Sequence, residues 1–154
     1  MKKEKTIDVL NKLVQINNGR VKGYEQASDN TEDKEFEDLF ISFKQSSVQC
    51  LAELEIEINA LGGELAKGTT TSGKFLRAWR DFESAIAGKD RKGILSSCEK
   101  CEEIADEAYQ KVLKTDTEHL SAEQQSMIKE QHELLKGDRK KINTLQSAVE
   151  GAEA

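Results

Sequence analysis

Two pairs of side chains that could do chemistry lie between residues 98 and 102. Cys98 and Cys101 form a Cys-x-x-Cys pair, and Glu99 and Glu102 repeat at the same spacing of three residues. Residues three apart share one face of a helix. The thiols could therefore hold a metal or exchange electrons, and the carboxylates could ligate a metal together with a histidine. His132, in a later segment, is the histidine that could complete such a site.

These residues do not make up a carboxylate-bridged di-metal centre. Such a centre takes one Glu from each of two helices and a Glu-x-x-His pair from each of the other two. The sequence has no Glu-x-x-His, and Asn17 and Asn18 stand where a first-helix Glu is expected. We therefore predict no catalytic, cofactor-binding or metal site. The alternative is a vestigial site for a divalent metal such as iron or zinc, with Glu99, Glu102 and His132 as its ligands.

If Glu102 is an ordinary polar residue of the interior and not a metal ligand, its substitution has a predictable effect. A buried carboxylate is costly to remove from water. On that interpretation Glu102→Gln is nearly neutral or slightly stabilising, because it removes a buried charge.

The three cysteines, which include Cys50, are too few and odd in number for a disulfide scaffold. A redox Cys-x-x-Cys usually opens a helix, where the helix N-terminus lowers a thiol pKa, but this pair is expected two turns inside a helix. A zinc site would need Cys50 and His132 to converge on the pair. We expect small buried or half-buried thiols in a reducing cytoplasm, with redox and zinc roles as the alternatives.

The segments that position these residues are all predicted to be helices. Apolar residues recur at spacings of three and four, and no strand pattern competes. The chain has no proline, where average usage predicts about eight, and long helices explain this because they leave few loops to hold it. The predicted helices span residues 6–27, 32–61, 74–87, 91–114 and 121–149.

Capping residues support these boundaries. Asn30 or Thr31 can cap the second helix, and Asp90 can cap the fourth. Ser121 and Gln124 have the spacing of a capping box at the start of the last helix.

Short turns near residues 31 and 117 predict two antiparallel helical hairpins. The connection between them spans about residues 62–90 and contains a polar stretch and the short helix. We predict an all-α single domain over residues 1–154, a ferritin-like four-helix bundle with a short extra helix in the long crossover between its second and third long helices. A plain up-down bundle with an excursion is the alternative.

These turn positions also predict which residues share a layer. Asn17 would lie level with residues 45–47, and Glu102 with His132, so that the middle layer is polar in all four long helices. In the short helix, Phe75, Trp79, Phe82 and Ile86 lie at helical spacings and should pack against the bundle. The alternative for this face is a dimer contact.

The charge composition limits the classes of partner that the chain can bind. The 154 residues include 23 basic and 29 acidic side chains, giving a net charge of −6. This balance argues against nucleic acid or an anionic membrane as a main partner. No apolar run is long enough to cross a membrane, so we predict no membrane insertion. No apolar segment follows the charged start of the chain, so we expect no signal peptide and a cytoplasmic protein.

The order of several motifs resembles a bacterial family of ferritin-like four-helix-bundle proteins catalogued as a domain of unknown function. The resemblance covers about residues 6–149. Its matching segments are Leu13-Val14-Gln15-Ile16-Asn17-Asn18-Gly19, Gly23-Tyr24, Leu61-Gly62-Gly63-Glu64, Ala78-Trp79, Cys98-Glu99, Glu102-Glu103 and Glu107-Ala108-Tyr109. The last helix fits least, because Lys136-Gly137-Asp138-Arg139 stands where relatives carry an Ala-His-Asp type of segment. The resemblance implies the fold far more than an activity.

We therefore predict a cytosolic, non-enzymatic helical protein, linked to stress or envelope physiology, that acts through a homodimer or another protein partner. The alternative prediction is a metal-binding or weakly oxidoreductase ferritin-like protein with a degenerate site. A partner-binding role for the acidic turn at residues 29–38 rests only on its charge, which a solvated surface explains equally well.

Overall fold

The computed structural model describes residues 2–153, and positions 1 and 154 of the predicted domain lie outside the described residues. The described chain is all-α, 87% helical and without strands. Its helices are α1 (Lys2–Asn30), α2 (Lys34–Ala60), α3 (Gly73–Gly88), α4 (Arg91–Thr115) and α5 (Ala122–Glu153), with a 3-10 turn at Thr117–His119. The first and last helices extend up to four residues beyond the predicted bounds.

Side-chain caps set several of these ends. The Asp33 carboxylate accepts hydrogen bonds from the backbone of Glu35 and Phe36 at 2.9 and 3.3 Å. Asp33 is therefore the cap of α2, and the prediction of Asn30 or Thr31 was wrong because α1 continues through Asn30.

The other two predicted caps are confirmed. Asp90 accepts a hydrogen bond from the backbone N–H of Gly93 at 3.2 Å. Ser121 and Gln124 form a reciprocal capping box, with bonds of 2.8 and 3.0 Å.

The four long helices pack side by side in the order α1, α2, α5, α4, so that α1 also contacts α4. Each neighbouring pair is antiparallel. Between α2 and α5, for example, Gln124 bonds to Glu57 at one level, and Gln131, later in α5, contacts the earlier residue Cys50. Because α2 and α4 are both antiparallel to α1, the two run parallel. The connection between them must therefore return along the length of the molecule.

Two asparagines of α1 hold that returning segment. Asn11 donates to the carbonyl of Glu64 at 2.9 Å and accepts from the backbone N–H of Ala66 at 2.8 Å. Asn18 donates to the carbonyl of Gly68 at 3.0 Å. The polar stretch after α2 is thus fixed along α1 before α3 begins.

Helix α3 lies against α1 and α4 and presents the predicted face inward. Phe75, Phe82 and Ile86 are buried, and Trp79 is half-buried. Aromatic rings from α1, α2 and α3 make edge contacts here, including Tyr24 with Trp79 at 5.1 Å between ring centroids. This aromatic cluster fills one half of the interior.

The other half of the interior is aliphatic, with Leu10, Leu54, Val112 and Ile128 at its centre. None of the helices in residues 2–153 combines the length and the apolar composition needed to cross a membrane. Between the aromatic and aliphatic halves lies a set of buried polar side chains, which form the candidate site.

Candidate functional site

A fully buried arginine lies at the centre of the polar layer. Arg20 projects from α1 between the three other long helices and has no exposed surface. A guanidinium has five N–H donors and no acceptor, so burial is tolerated only if acceptors surround it. The neighbouring helices supply those acceptors.

Glu102 of α4 is the main partner of Arg20. Nε and Nη2 of Arg20 donate to the two Glu102 oxygens at 3.0 and 2.9 Å, a bidentate pair. Nη2 also donates to Asp138 of α5 at 3.0 Å. Nη1 donates to Ser47 Oγ and to the Phe43 carbonyl of α2. Arg20 therefore joins all four long helices at one point.

Tyr24 and Cys98 extend this cluster towards the aromatic half. The Tyr24 hydroxyl donates to Glu102 Oε2 at 2.6 Å and lies 3.5 Å from Cys98 Sγ. Tyr24 is one turn after Arg20 on α1, and Cys98 is one turn before Glu102 on α4. Helical spacing on two antiparallel helices thus brings Tyr24 to both Glu102 and Cys98. We call Arg20, Glu102, Asp138, Ser47 and Tyr24, which come from all four long helices, the Arg20 cluster.

A second polar network lies on the aliphatic side of the Arg20 cluster. Asn17 donates to the Tyr109 hydroxyl at 2.9 Å, and that hydroxyl donates to Gln131 at 2.7 Å. Gln131 in turn donates to Glu53 at 3.0 Å. This network again connects α1, α4, α5 and α2, so that the interior is polar over two consecutive layers.

The structure gives the three vestigial-site candidates separate partners. Glu102 binds Arg20, whereas Glu99 lies 3.6 Å from Arg139. His132 Nε2 lies 2.5 Å from a carboxylate oxygen of Asp106, and the His132 ring stacks on Tyr109. Within residues 2–153, no group of three or more His, Cys, Asp or Glu side chains is arranged to hold a metal ion.

The difference arises from the register of the second hairpin. Glu102 faces Asp138 and Tyr109 faces Gln131, which places the point of reversal near residue 120. The sequence alone predicts the point of reversal near residue 117. The 3-10 turn at Thr117–His119 lengthens the connection, and a shift of about three residues at the turn moves each pairing by about six. His132 is therefore level with Asp106 and not with Glu102.

The charges in the Arg20 cluster influence one another strongly. Burial opposes the charged form of Arg20, but attraction to Glu102 and the hydrogen bonds between them outweigh it, and the pKa of Arg20 is raised. Burial raises the pKa of Asp138, and the nearby Arg20 opposes that rise. Burial also raises the pKa of Tyr24. The arginine is therefore a permanent internal cation.

The thiols lie in surroundings that suppress their reactivity. Cys50, Cys98 and Cys101 are free and buried. Burial raises the pKa of Cys50 to about 11 and raises the pKa of Cys98 and Cys101 further. The thiolate is the reactive and metal-binding form, and burial favours the protonated thiol at all three positions.

Sequence reasoning did not identify Arg20, although a signal for it exists. Leu13, Asn17, Arg20 and Tyr24 recur at spacings of four, three and four, so Arg20 shares the face of residues that are buried. Val21, the apolar residue next to Arg20 in the sequence, is only half-buried. A charged residue inside an apolar face is the observation that indicates a buried ion pair.

A comparison with known protein families matches residues 5–115 to the family described as Domain of unknown function (DUF2383). The chain belongs to this family. The match includes Arg20 and Glu102 but ends before α5, which contributes Asp138 and His132. A search of curated proteins finds no match to the chain.

The residues present do not fit a carboxylate-bridged metal pair. Such a pair needs carboxylate oxygens turned towards an open space between the helices. Here both oxygens of Glu102 accept hydrogen bonds from Arg20, and the guanidinium lies between Glu102 and Asp138. The arrangement can fix the register of the four helices, because one cation, Arg20, binds two carboxylates, Glu102 and Asp138.

Proposed function

We propose that this chain is a ferritin-like four-helix protein with a structural interior, that it is non-enzymatic, and that it acts in the cytoplasm through contacts with other protein chains. The observation that carries the proposal is the position of Arg20. Its guanidinium forms ion pairs with the buried carboxylates of Glu102 and Asp138 at the centre of the molecule.

The ferritin-like assignment is supported by the path of the chain. Two antiparallel hairpins, α1–α2 and α4–α5, are joined by a connection that returns along the molecule. A single long crossover between two such hairpins is the connectivity of ferritin-like folds. The short helix α3 lies within this crossover.

The non-enzymatic assignment is supported by the state of the interior side chains. Perturbed titratable groups mark an active site when they line a cleft, but the Arg20 cluster is buried and its members are bonded to one another. The buried thiols support a reducing compartment. Because the members of the Arg20 cluster are bonded to one another, the outer surface is where we expect the protein to act.

Metal uptake tests this proposal against the ferritin-like metal-binding alternative. The purified protein is incubated aerobically with Fe(II), and bound iron per chain and the optical spectrum are measured, with Zn(II) in a parallel series. We expect bound metal far below one ion per chain, no oxo-bridge absorption band and an unchanged melting temperature. Near-stoichiometric iron that is lost in Glu102→Gln and kept in Glu107→Gln, an exposed control on the same helix, would overturn the proposal.

A further inference from the structure

The outward face of α2 carries three of the four exposed large apolar side chains in the described residues. Four large apolar side chains are more than one-third exposed: Ile41 at 38%, Val48 at 49%, Ile56 at 70% and Leu76 at 47%. Three of the four belong to α2. Single exposed apolar residues are ordinary on a protein surface, but three on one helix form a pattern.

Helical geometry places these three residues on one line. At about 100° per residue, Ile41, Val48 and Ile56 fall within an arc of about 80°. Gln45 and Ala52, both exposed, lie between them in the same arc. We call Ile41, Gln45, Val48, Ala52 and Ile56 the α2 stripe; it is about 22 Å long at 1.5 Å per residue.

The α2 stripe is also free of charge. Residues 39–52, which hold four of the five stripe residues, contain one charged side chain, Lys44, although 34% of the whole chain is charged. Glutamates flank Ile56 at positions 55 and 57. The opposite face of α2 is buried, with Phe40, Phe43 and Leu54 in the core. An exposed helix face normally carries charged and polar residues, so an uncharged exposed stripe with three large apolar side chains is unusual. Helix α3 covers part of α1 and α4, whereas the α2 stripe is exposed.

We propose that the α2 stripe is a homodimer interface, in which α2 packs antiparallel against α2 of a second copy. This inference rests on the proposed function and names the partner as the same chain. A two-fold interface brings the same surface of both copies together and must be complementary to itself. The sequence of the α2 stripe meets this requirement.

The apolar residues match across a two-fold axis that passes between residues 48 and 49. Ile41 then lies opposite Ile56 of the second copy, and the long Gln45 lies opposite the small Ala52 of the second copy. Val48 lies beside the axis, at the centre of the interface. Both ends of the stripe are closed by isoleucine pairs, and no charged residue is buried between them.

Charge at one edge of the stripe favours the same arrangement. Relative to Val48, Lys44 and Glu55 are rotated by about 40° and 20° to the same side. A two-fold axis brings this edge of both helices together, and Lys44 then lies within about 3 Å along the axis of the level of Glu55 of the second copy. The contact occurs twice. Lys44 is one-third exposed and lies 3.5 Å from Glu25 of its own chain, so it can reach outward.

Sedimentation equilibrium of the full chain tests the proposal. We expect the parent to have twice the mass of the 17.2 kDa chain. Val48→Lys introduces two charges beside the axis and should raise the dimer dissociation constant by about 30-fold or more, as loss of a central anchor does. Leu76→Lys is the matched control because Leu76 has nearly the same exposure but lies on α3. It should leave the dissociation constant unchanged, and circular dichroism should show that both variants remain folded.

A charge exchange tests the antiparallel register. Lys44→Glu alone should weaken the dimer by about tenfold, since it faces Glu55 of the second copy with a like charge at two places. Adding Glu55→Lys should restore the dissociation constant to nearly the parent value. A monomeric parent, or a dimer that Val48→Lys does not weaken, would overturn the inference. A monomer that also takes up no iron would refute the dimer while leaving the proposed structural interior intact.

Discussion

Helix α1 makes two very different contacts within six residues. Gly19 and Gly23 face α3, and aromatic rings lie directly on the backbone there. Arg20 and Tyr24 face the interior and meet α4 through charges and hydrogen bonds. The glycine contact depends on shape alone, whereas the arginine contact depends on which residues of other helices reach the same level. The two contacts should therefore respond differently to substitution.

Replacing the arginine should have the largest effect. Arg20→Met leaves Glu102 and Asp138 buried without their cation, and breaking a buried ion pair costs about 3–5 kcal/mol. Urea denaturation should show a loss of this size in the free energy of unfolding. Arg80→Met, on the exposed side of α3, is the control and should change it by less than about 0.5 kcal/mol. A loss in Arg20→Met as small as that of the control would show that the cluster does not stabilise the fold.

Truncating the tryptophan should have the next largest effect. Trp79 contacts Tyr24, Phe75 and Phe82, but it is only half-buried. We expect Trp79→Ala to cost about 3 kcal/mol, the lower end of the range for aromatic truncation. Trp79→Phe keeps a ring in place and should cost about 1 kcal/mol. Equal losses in the two variants would contradict the packing role of the ring.

A methyl group at Gly23 probes the shape of the same contact. A Cβ at Gly23 would lie 2.2 Å from Trp79 Cζ3, so Gly23→Ala should cost about 1–3 kcal/mol through overpacking. It should also shift the emission of the single tryptophan to longer wavelength. Gly137→Ala is the matched helical control, because no atom lies within 4 Å of its added Cβ. That variant should gain about 0.5–1 kcal/mol from helix propensity, and a similar gain in Gly23→Ala would disprove the close contact.

The smallest effect concerns pH. Burial raises the folded-state pKa of Asp138, and the nearby Glu102 raises it further. Arg20 and a hydrogen bond from Ser46 act in the opposite direction and lower this pKa. Between the ordinary carboxyl pKa, about 3.9, and the raised pKa, the folded chain binds more protons than the unfolded chain. This group therefore adds stability as pH falls through the raised pKa. Urea denaturation from pH 7 to pH 4 measures this effect. As pH falls, the free energy of unfolding of the parent should rise relative to that of Asp138→Asn. A fall relative to Asp138→Asn would contradict the direction of the pKa shift.

The helices could be predicted from sequence because their signals are local. Spacings of three and four gave five helices close to those observed, and Asp90 and Ser121 were identified as caps. The face of α3 was also predicted, since its buried residues lie within one helix. Asn30 or Thr31 was a wrong choice of cap for α2 because both residues precede Asp33, whose side chain lies nearer the new helix.

The site could not be predicted in the same way because it depends on register between helices. The partners of Arg20 come from α2, α4 and α5. A three-residue difference in the position of the turn between α4 and α5 decides whether Glu102 faces His132 or Asp138. Sequence alone also predicted that Glu102→Gln would be nearly neutral. With Arg20 donating to both Glu102 oxygens, the structure predicts a loss of about 3 kcal/mol instead.

A double-mutant cycle between Arg20 and Glu102 tests the central claim most directly. Urea denaturation of the parent, Arg20→Met, Glu102→Gln and the double variant gives the coupling energy of the two side chains. If Arg20 is the internal cation that Glu102 requires, the double variant should lose less free energy of unfolding than the sum of the losses in the two single variants. The difference, which is the coupling energy, should be about 2–3 kcal/mol. Additive losses, with a coupling below about 0.5 kcal/mol, would contradict the account of the interior as an ion-paired structural centre.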